Sequence, residues 1–263
     1  MLQVATLASG SSGNCTLVSD GCTHILIDAG ISCRRIVTGL KELGIDPARL
    51  SAVLVTHEHS DHICGLNTMK NKLEFTLCAT KPTADQLCER MEGLEGRLAT
   101  FAPGGEFTVG SLHIRSFPTL HDSACPVGYA VTAADGSKMA LATDLGIVTD
   151  AVERGIEGAR LLICEANYDP ETLRTGPYPA FLKERIVGDH GHLSNEMGGA
   201  LALYAVERGA RTVVLGHLSK ENNSPRLAYR AVECALNRGG VTVGRDAALS
   251  VAPRCEGSGW MAV

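Results

Sequence analysis

Short apolar runs that end in polar, chemically loaded loops dominate the hydrophobic pattern of this chain. Residues 2–8, 15–19 and 23–27 read as strands separated by turn-rich stretches, and 52–56 as a further buried strand. Alternation at 106–109 and 111–117 predicts an antiparallel pair about Gly110, with His113 facing solvent. A hairpin about Asp135-Gly136 joins 127–132 to 138–142. Leu161-Leu162-Ile163-Cys164 and Thr212-Val213-Val214-Leu215 read as buried strands. Helices are predicted where a capping residue opens them: Ser32 to near Gly44, a short one after Thr149, Ser194 to Gly209, and Ser224-Pro225 to Gly239-Gly240. Lys81 to Arg90 reads as another short helix. Residues 169–190 read as irregular apart from helical 181–185, and strands near 241–244 and 249–252 close the chain.

The strand at 52–56 carries the chemistry. It runs Val53-Leu54-Val55-Thr56-His57-Glu58-His59-Ser60-Asp61-His62, so an apolar run delivers three histidines and an aspartate to its C-terminal edge. His57 and His59, two apart, project from one face of extended backbone. Asp61 and His62 follow where the chain leaves the strand and can turn toward a second point. H-x-H-x-D-H therefore suits two metals side by side. Other strand ends add candidates: His121 as a ligand, Asp144 as a bridging carboxylate, and Asp28 as an acceptor that orients a ligand histidine. The tetrapeptide Gly-His-Leu-Ser occurs at 191–194 and again at 216–219, which points to two loops using the same side chains at one site. The Ala8–Asn14 loop is rich in Gly and Ser but lacks the Gly-Lys-Ser/Thr ending of a P-loop. Its small residues let backbone N–H groups approach a ligand or another loop.

Composition narrows the class. At 263 residues, 44% hydrophobic and 20% charged, the chain has the balance of a soluble globular protein. Aromatics at 4% argue against a stacking platform for single strands as the main binding device, and a net charge of −5 gives no general attraction to nucleic acid or membranes. None of the ten cysteines forms a C-x-x-C pair; Cys78 and Cys164 read as core residues, and Cys64 as packing beneath the metal motif. The N-terminus has no basic n-region or long apolar h-region, and no apolar run approaches about 18 residues, so a cytoplasmic protein without a membrane span is expected.

H-x-H-x-D-H, a downstream His, a strand-end Asp and a final strand-end His together resemble the metallo-β-lactamase-fold hydrolases, over almost the whole chain. The resemblance implies an α/β fold, a four-layer αββα sandwich of two similar halves in a single domain over residues 1–263. It implies His57, His59 and His121 on one metal, Asp61, His62 and His217 on a second, and Asp144 between them. Residues 8–14, 188–196 and 215–223 look most like the YycJ/WalJ-type branch, whose members resemble DNA exonucleases. The C-terminal third is also similar to the tRNA 3′-processing endonucleases, which implies that Glu165 and His192 form a catalytic-support pair. Only 72 residues separate Asp144 from His217, too few for a β-CASP insertion, and no glycine-rich basic arm is present.

The expectation that follows is a metal-dependent phosphodiesterase, a DNA exonuclease in which a hydroxide held by two divalent cations attacks phosphorus. Asp61 acts as ligand and proton acceptor, and His192, held by Glu165, protonates the leaving oxygen. Ser194, Ser219, Asn222 and Asn223 are candidate phosphate contacts, and Arg34, Arg35, Lys70, Lys72, Lys183 and Arg185 candidate members of a basic groove. Zinc or manganese, with iron or nickel also accommodated, suits imidazole and carboxylate donors. The alternatives are a metallohydrolase of a small cyclic or other phosphodiester, then of a thioester, and lastly a non-enzymatic binding module. The oligomeric state stays open.

Overall fold

The computed structural model describes residues 1–263. The first half of the chain forms β1 (Gln3–Ala8), β2 (Cys15–Ser19), β3 (His24–Ile27), β4 (Leu50–Leu54), β5 (Thr76–Thr80) and β6 (Leu98–Phe101). The second half forms β7 (Glu106–Val109), β8 (Leu112–Pro118), β9 (Val127–Thr132), β10 (Lys138–Ala142), β11 (Leu161–Glu165), β12 (Thr212–Gly216) and β13 (Ala248–Val251), and β14 (Met261–Ala262) returns to the first sheet. The two sheets have the orders β14-β1-β2-β3-β4-β5-β6 and β13-β12-β11-β10-β9-β8-β7. In the first, β1 to β3 are antiparallel and β3 to β6 parallel; in the second, β7 to β10 are antiparallel and β10 to β13 parallel. The halves repeat one plan, as the resemblance implies.

Period-two alternation builds three apolar layers from these strands. Ala52 and Leu54, Leu161 and Ile163, and Val214 face the layer between the sheets. Val53 faces the outer layer beneath α1 (Cys33–Glu42), α2 (Ser60–Ile63), α3 (Leu66–Met69) and α4 (Lys81–Arg90). Leu162, Cys164, Val213 and Leu215 face the other outer layer, beneath α5 (Asp150–Ile156), α8 (Asn195–Glu207) and α9 (Pro225–Arg238). Between them in sequence lie α6 (Pro170–Thr175) and α7 (Ala180–Val187). The result is the four-layer αββα sandwich. Strands buried on both faces read as continuous apolar runs, which is why these were legible in the sequence.

The caps form as expected: Ser32, Thr149, Ser194 and Ser224 each accept a backbone N–H from the first turn of α1, α5, α8 and α9. Other expectations need correction. Residues 241–244 form no strand, only a single bridge from Val243 to Ala247. The segment 169–190 holds α6 and α7, started by Asp169 and Pro179. Cys64 is exposed, because the single turn of α2 carries it outward while burying His62 and Ile63. No helix is long and apolar enough to cross a membrane.

Candidate metal centre

The C-terminal ends of β3, β4, β10, β11 and β12 converge on one edge of the sandwich, the position where open parallel sheets build sites. The first sheet brings Asp28 after β3 and His57, His59, Asp61 and His62 after β4. The second brings His121, Asp144, Glu165, His192 and His217. The only non-glycine residues with positive φ are Asp28 at 63°, Asp144 at 58° and His217 at 53°. All three follow site strands, and each holds a left-handed turn that costs free energy outside glycine. The sharp turn aims each side chain back across the strand ends.

Facing nitrogens and oxygens fall into overlapping groups, each with its ligand atoms within 4.8 Å of one another: His57, His59 and His121; His57, His62 and Asp144; Asp61, His62 and His217; and Asp144, Glu165, His192 and His217. Asp144 joins them. Its Oδ2 lies 3.3 Å from His62 Nε2, and its Oδ1 lies 3.4 Å from His217 Nε2 and 3.8 Å from His121 Nε2.

Hydrogen bonds behind the rings fix which nitrogen faces inward. His62 Nδ1 donates to Asp28 Oδ2 at 2.7 Å. Asp28 also accepts the Thr56 backbone N–H at 2.8 Å and the Thr56 hydroxyl at 2.9 Å. With its one hydrogen so committed, Thr56 Oγ1 accepts from His57 Nδ1 at 3.0 Å. His121 Nδ1 donates to the Gly191 carbonyl at 2.9 Å. In each case Nε2 is left for the centre. His59 is turned the other way: Nε2 meets the Asp122 carbonyl at 3.2 Å, which leaves Nδ1.

Glu165 is the hinge of the second half. It is fully buried, and its Oε1 accepts from both His192 Nδ1 at 2.9 Å and His217 Nδ1 at 2.8 Å. Its Oε2 accepts the backbone N–H groups of Leu193 and Leu145. The two Gly-His-Leu-Ser loops therefore present their histidines to one carboxylate oxygen, while Leu193 and Leu218 bury in the same apolar layer. This accounts for the repeated tetrapeptide.

Electrostatics follow from this packing. Burial, with His62, His121 and His59 nearby, holds His57 well below the ordinary imidazole range, and burial lowers His121. Burial also opposes charge on His62 and His217, but carboxylates outweigh it. Asp144 and Asp28 push His62 well above its usual value, and Asp144, Asp61 and Glu165 push His217 up to about 10. Against burial, His217 and His62 hold the Asp61 carboxyl far below the carboxylate range, and His192 and His217 do the same for Glu165.

The donor set fits divalent metal. His57 Nε2 and Asp144 Oδ2 are buried and make no hydrogen bond within the chain, an arrangement that native interiors avoid unless something else binds there. Imidazoles backed by carboxylates and carbonyls are the usual way proteins orient metal ligands.

The side chains expected at phosphate all have partners within the chain. Ser194 caps α8 through its hydroxyl. Ser219 accepts from Asn222, which is fully buried. Asn223 donates to the Ala166 and Asn167 carbonyls and to Asn195. These contacts lace the loops together. Of the expected groove, Lys183 caps α6 through the Arg174 and Gly176 carbonyls, Arg185 pairs with Asp122, and Lys70 donates to the Glu92 carbonyl.

Sequence reasoning missed several positioning groups. Asn167 Nδ2 donates to the His217 carbonyl at 2.8 Å, and Ser9 Oγ accepts the His217 N–H at 2.9 Å. Asn14 accepts the Gly10 N–H on Oδ1 and sets Nδ2 3.2 Å from His62 Nε2. The glycine-serine loop was the only signal for Ser9 and Asn14. Nothing in the sequence marks Asn167.

Comparison with known proteins agrees with this fold. A family model described as "Beta-lactamase superfamily domain" matches residues 23–218, and the chain belongs to that superfamily, whose metallo-β-lactamase fold implies use of divalent metal. The chain is 38% identical over 244 residues to Exodeoxyribonuclease WalJ of Streptococcus pneumoniae, covering 91% of this chain and 90% of that protein. It is 36% identical over 248 residues to Exodeoxyribonuclease YycJ of Bacillus anthracis, covering 92% of each. Among solved structures, Zn(2+)-bound PqqB from Methylobacterium extorquens superposes with a TM-score of 0.73 at 19% identity, over 99% of this chain and 100% of that one.

Proposed function

We infer that this protein is a metal-dependent phosphodiesterase that degrades DNA as an exonuclease, in a single domain spanning residues 1–263. The observation that carries this reading is the identity, over about nine-tenths of both chains, with proteins named exodeoxyribonuclease. The geometry supports it through the Glu165–His192 pair, which stands beside Asp144 with His192 Nδ1 3.8 Å from Asp144 Oδ1. The ten cysteines, all free thiols, suit a reducing cytoplasm.

His57, His59 and His121 would hold one cation and Asp61, His62 and His217 a second, with Asp144 available to both. Zinc and manganese suit these donors best, and iron or nickel is accommodated. When bound, such ions polarise a phosphoryl oxygen and make a hydroxide nucleophile available near neutral pH. The chain does the rest. Asp61, only half-buried at 24% exposure, accepts the proton of the attacking water. His192, open to solvent at 20%, keeps Nδ1 on Glu165 and donates from Nε2 to the leaving oxygen. Glu165 holds that ring in position.

End-labelled DNA incubated with purified protein and added Mn²⁺ tests the reading, with Asp61→Ala as control. Progressive shortening by the wild type alone supports it, and the label position gives the polarity. Intact DNA, with a small phosphodiester such as bis(p-nitrophenyl) phosphate hydrolysed, overturns it in favour of a small-molecule substrate.

A further inference from the structure

The C-terminal segment 253–257 lies beyond the region matched by the family model, yet it docks on the rim of the metal centre. The Ser9 N–H donates to the Pro253 carbonyl at 3.2 Å, and Arg254 Nη2 donates to the Leu218 carbonyl at 2.9 Å, one residue after His217. Arg35 Nη2 donates to the Cys255 carbonyl at 3.1 Å. Arg254 thus lies between the two loops that flank the centre, one carrying Asn14 and the other His217. It lies so close to Gly10 that a Cβ there would come 2.8 Å from Arg254 Nη1.

Two features of this corner have no structural purpose within the chain. Arg254 Nη1 is buried with no hydrogen-bond partner, and no carboxylate pairs with the guanidinium, whereas Arg97, Arg174 and Arg185 each pair with an acid. A half-buried cation without a counter-charge is unfavourable unless something outside the chain supplies the anion. The second feature is the loop above it. Ser11 and Ser12 are exposed at its tip, and neither donates its backbone N–H to the chain. Beyond Arg254 a cavity of about 440 Å³ continues along α1, lined by Arg34, Arg35 and Thr38, with Glu42 and Glu256 also present.

We propose that Arg254, the Ser11–Ser12 tip and the Arg34–Arg35 face of α1 form a phosphate-binding track, which holds the substrate strand beyond the nucleotide at the metal centre. The ligand class is the phosphodiester backbone of a nucleic-acid strand. The donors at the tip contact a phosphate from above, Arg254 supplies positive charge from below, and Arg34 and Arg35 meet the next phosphates along. The track gives a net-acidic chain a local basic surface where the substrate needs it. This inference rests on the exonuclease reading.

The test is binding of a short, labelled phosphorothioate strand to metal-loaded protein across a potassium chloride series. Arg254→Gln retains an N–H for the Leu218 carbonyl but removes the charge. It should weaken binding about tenfold and flatten the slope of log affinity against log salt by about 0.7, the value of one phosphate on a single strand. Arg254→Lys should restore most of the slope. Arg35→Gln should flatten it independently, and Arg238→Gln, on the last turn of α9, should leave it alone. Metal content and Tm are measured on every variant. A wild-type slope in Arg254→Gln overturns the track. So does a loss of affinity at unchanged slope accompanied by loss of metal, because Arg254 then only braces the His217 loop. If the wild type binds no strand at all, the DNA reading falls and the track with it; if it binds and only the variants fail to respond, the track alone falls.

Discussion

Replacing Asp28 with Asn changes no heavy-atom shape yet should reverse the hydrogen-bond direction behind one ligand in each half of the donor set. Asp28 Oδ1 accepts the Thr56 backbone N–H, which cannot do anything but donate. The amide oxygen of Asn must therefore take the Oδ1 position, and its NH₂ group must face His62 Nδ1 and Thr56 Oγ1. His62 then needs a lone pair on Nδ1, so its hydrogen moves to Nε2, the atom that faces the centre. Thr56, now accepting from the amide, turns its own hydrogen toward His57 Nδ1, and His57 likewise shifts its hydrogen to Nε2. To bind metal each ring must return to the original tautomer and bury an N–H against another donor. An unsatisfied buried donor costs about 1–3 kcal/mol, or about 5- to 150-fold in affinity. Loss of a supporting partner typically weakens metal affinity 10- to 100-fold, within the same range. The expected result is a loss of about 10- to 100-fold at each of two metal equivalents, measured by competition with a chromophoric chelator. Long-range ¹⁵N–¹H spectra of the metal-free protein, recorded at a pH where both rings are neutral, should show them exchanging Nδ1–H for Nε2–H. Wild-type affinity together with unchanged tautomers in Asp28→Asn would refute the account of how these ligands are oriented.

Further outcomes follow from the same geometry. His192→Ala should keep its metal, measured by elemental analysis, while turnover on labelled DNA falls by about 10²- to 10⁴-fold; equal loss of metal would make His192 a ligand. Glu165→Gln should impair both histidines that share its oxygen, lowering turnover as His192→Ala does and also weakening the metal equivalent held by His217. Metal loading should release protons: neighbouring carboxylates hold His62 and His217 above the ordinary imidazole range, so charge they carry must be given up to ligate, whereas burial holds His57 and His121 below it. Apparent affinity should therefore fall as pH drops, and calorimetry in buffers of different ionisation enthalpy should show net proton release on loading. Gly30→Ala should lower the stability by about 3 kcal/mol, read as a sharp fall in the urea midpoint, because a Cβ there would lie 1.6 Å from the Asp61 carbonyl oxygen.

Much of this was readable in advance where one residue type has a single physical use. A Ser before Pro starts a helix, and a doubly buried strand has no polar position to interrupt its run, so β4, β11 and β12 announced themselves. Two of the four edge strands did not. β6 and β14 are short and only partly buried, and the tertiary pairing that makes them strands leaves little local trace. In the candidate site, donor-type residues at strand ends were legible because histidine and aspartate are rarely buried without purpose. Their supports were not: Thr56 and Asn167 are ordinary residues whose roles depend on partners far away in sequence. The loop-lacing contacts of Ser194, Ser219, Asn222 and Asn223 were hidden for the complementary reason. Short polar side chains hydrogen-bond to backbone as readily as to a ligand.

The two sheets contribute to both donor sets, and that has a consequence for chain connectivity. On the proposed ligand sets, cations at His57, His59 and His121, and at Asp61, His62 and His217, would each cross-link the first half of the polypeptide to the second. One would close the loop between residues 59 and 121, the other the far longer loop between 62 and 217. Like disulfides that can be removed with a chelator, they would restrict the unfolded chain as well as arming the folded one. A protein so built that lost its metal would lose two topological ties between its halves along with its chemistry.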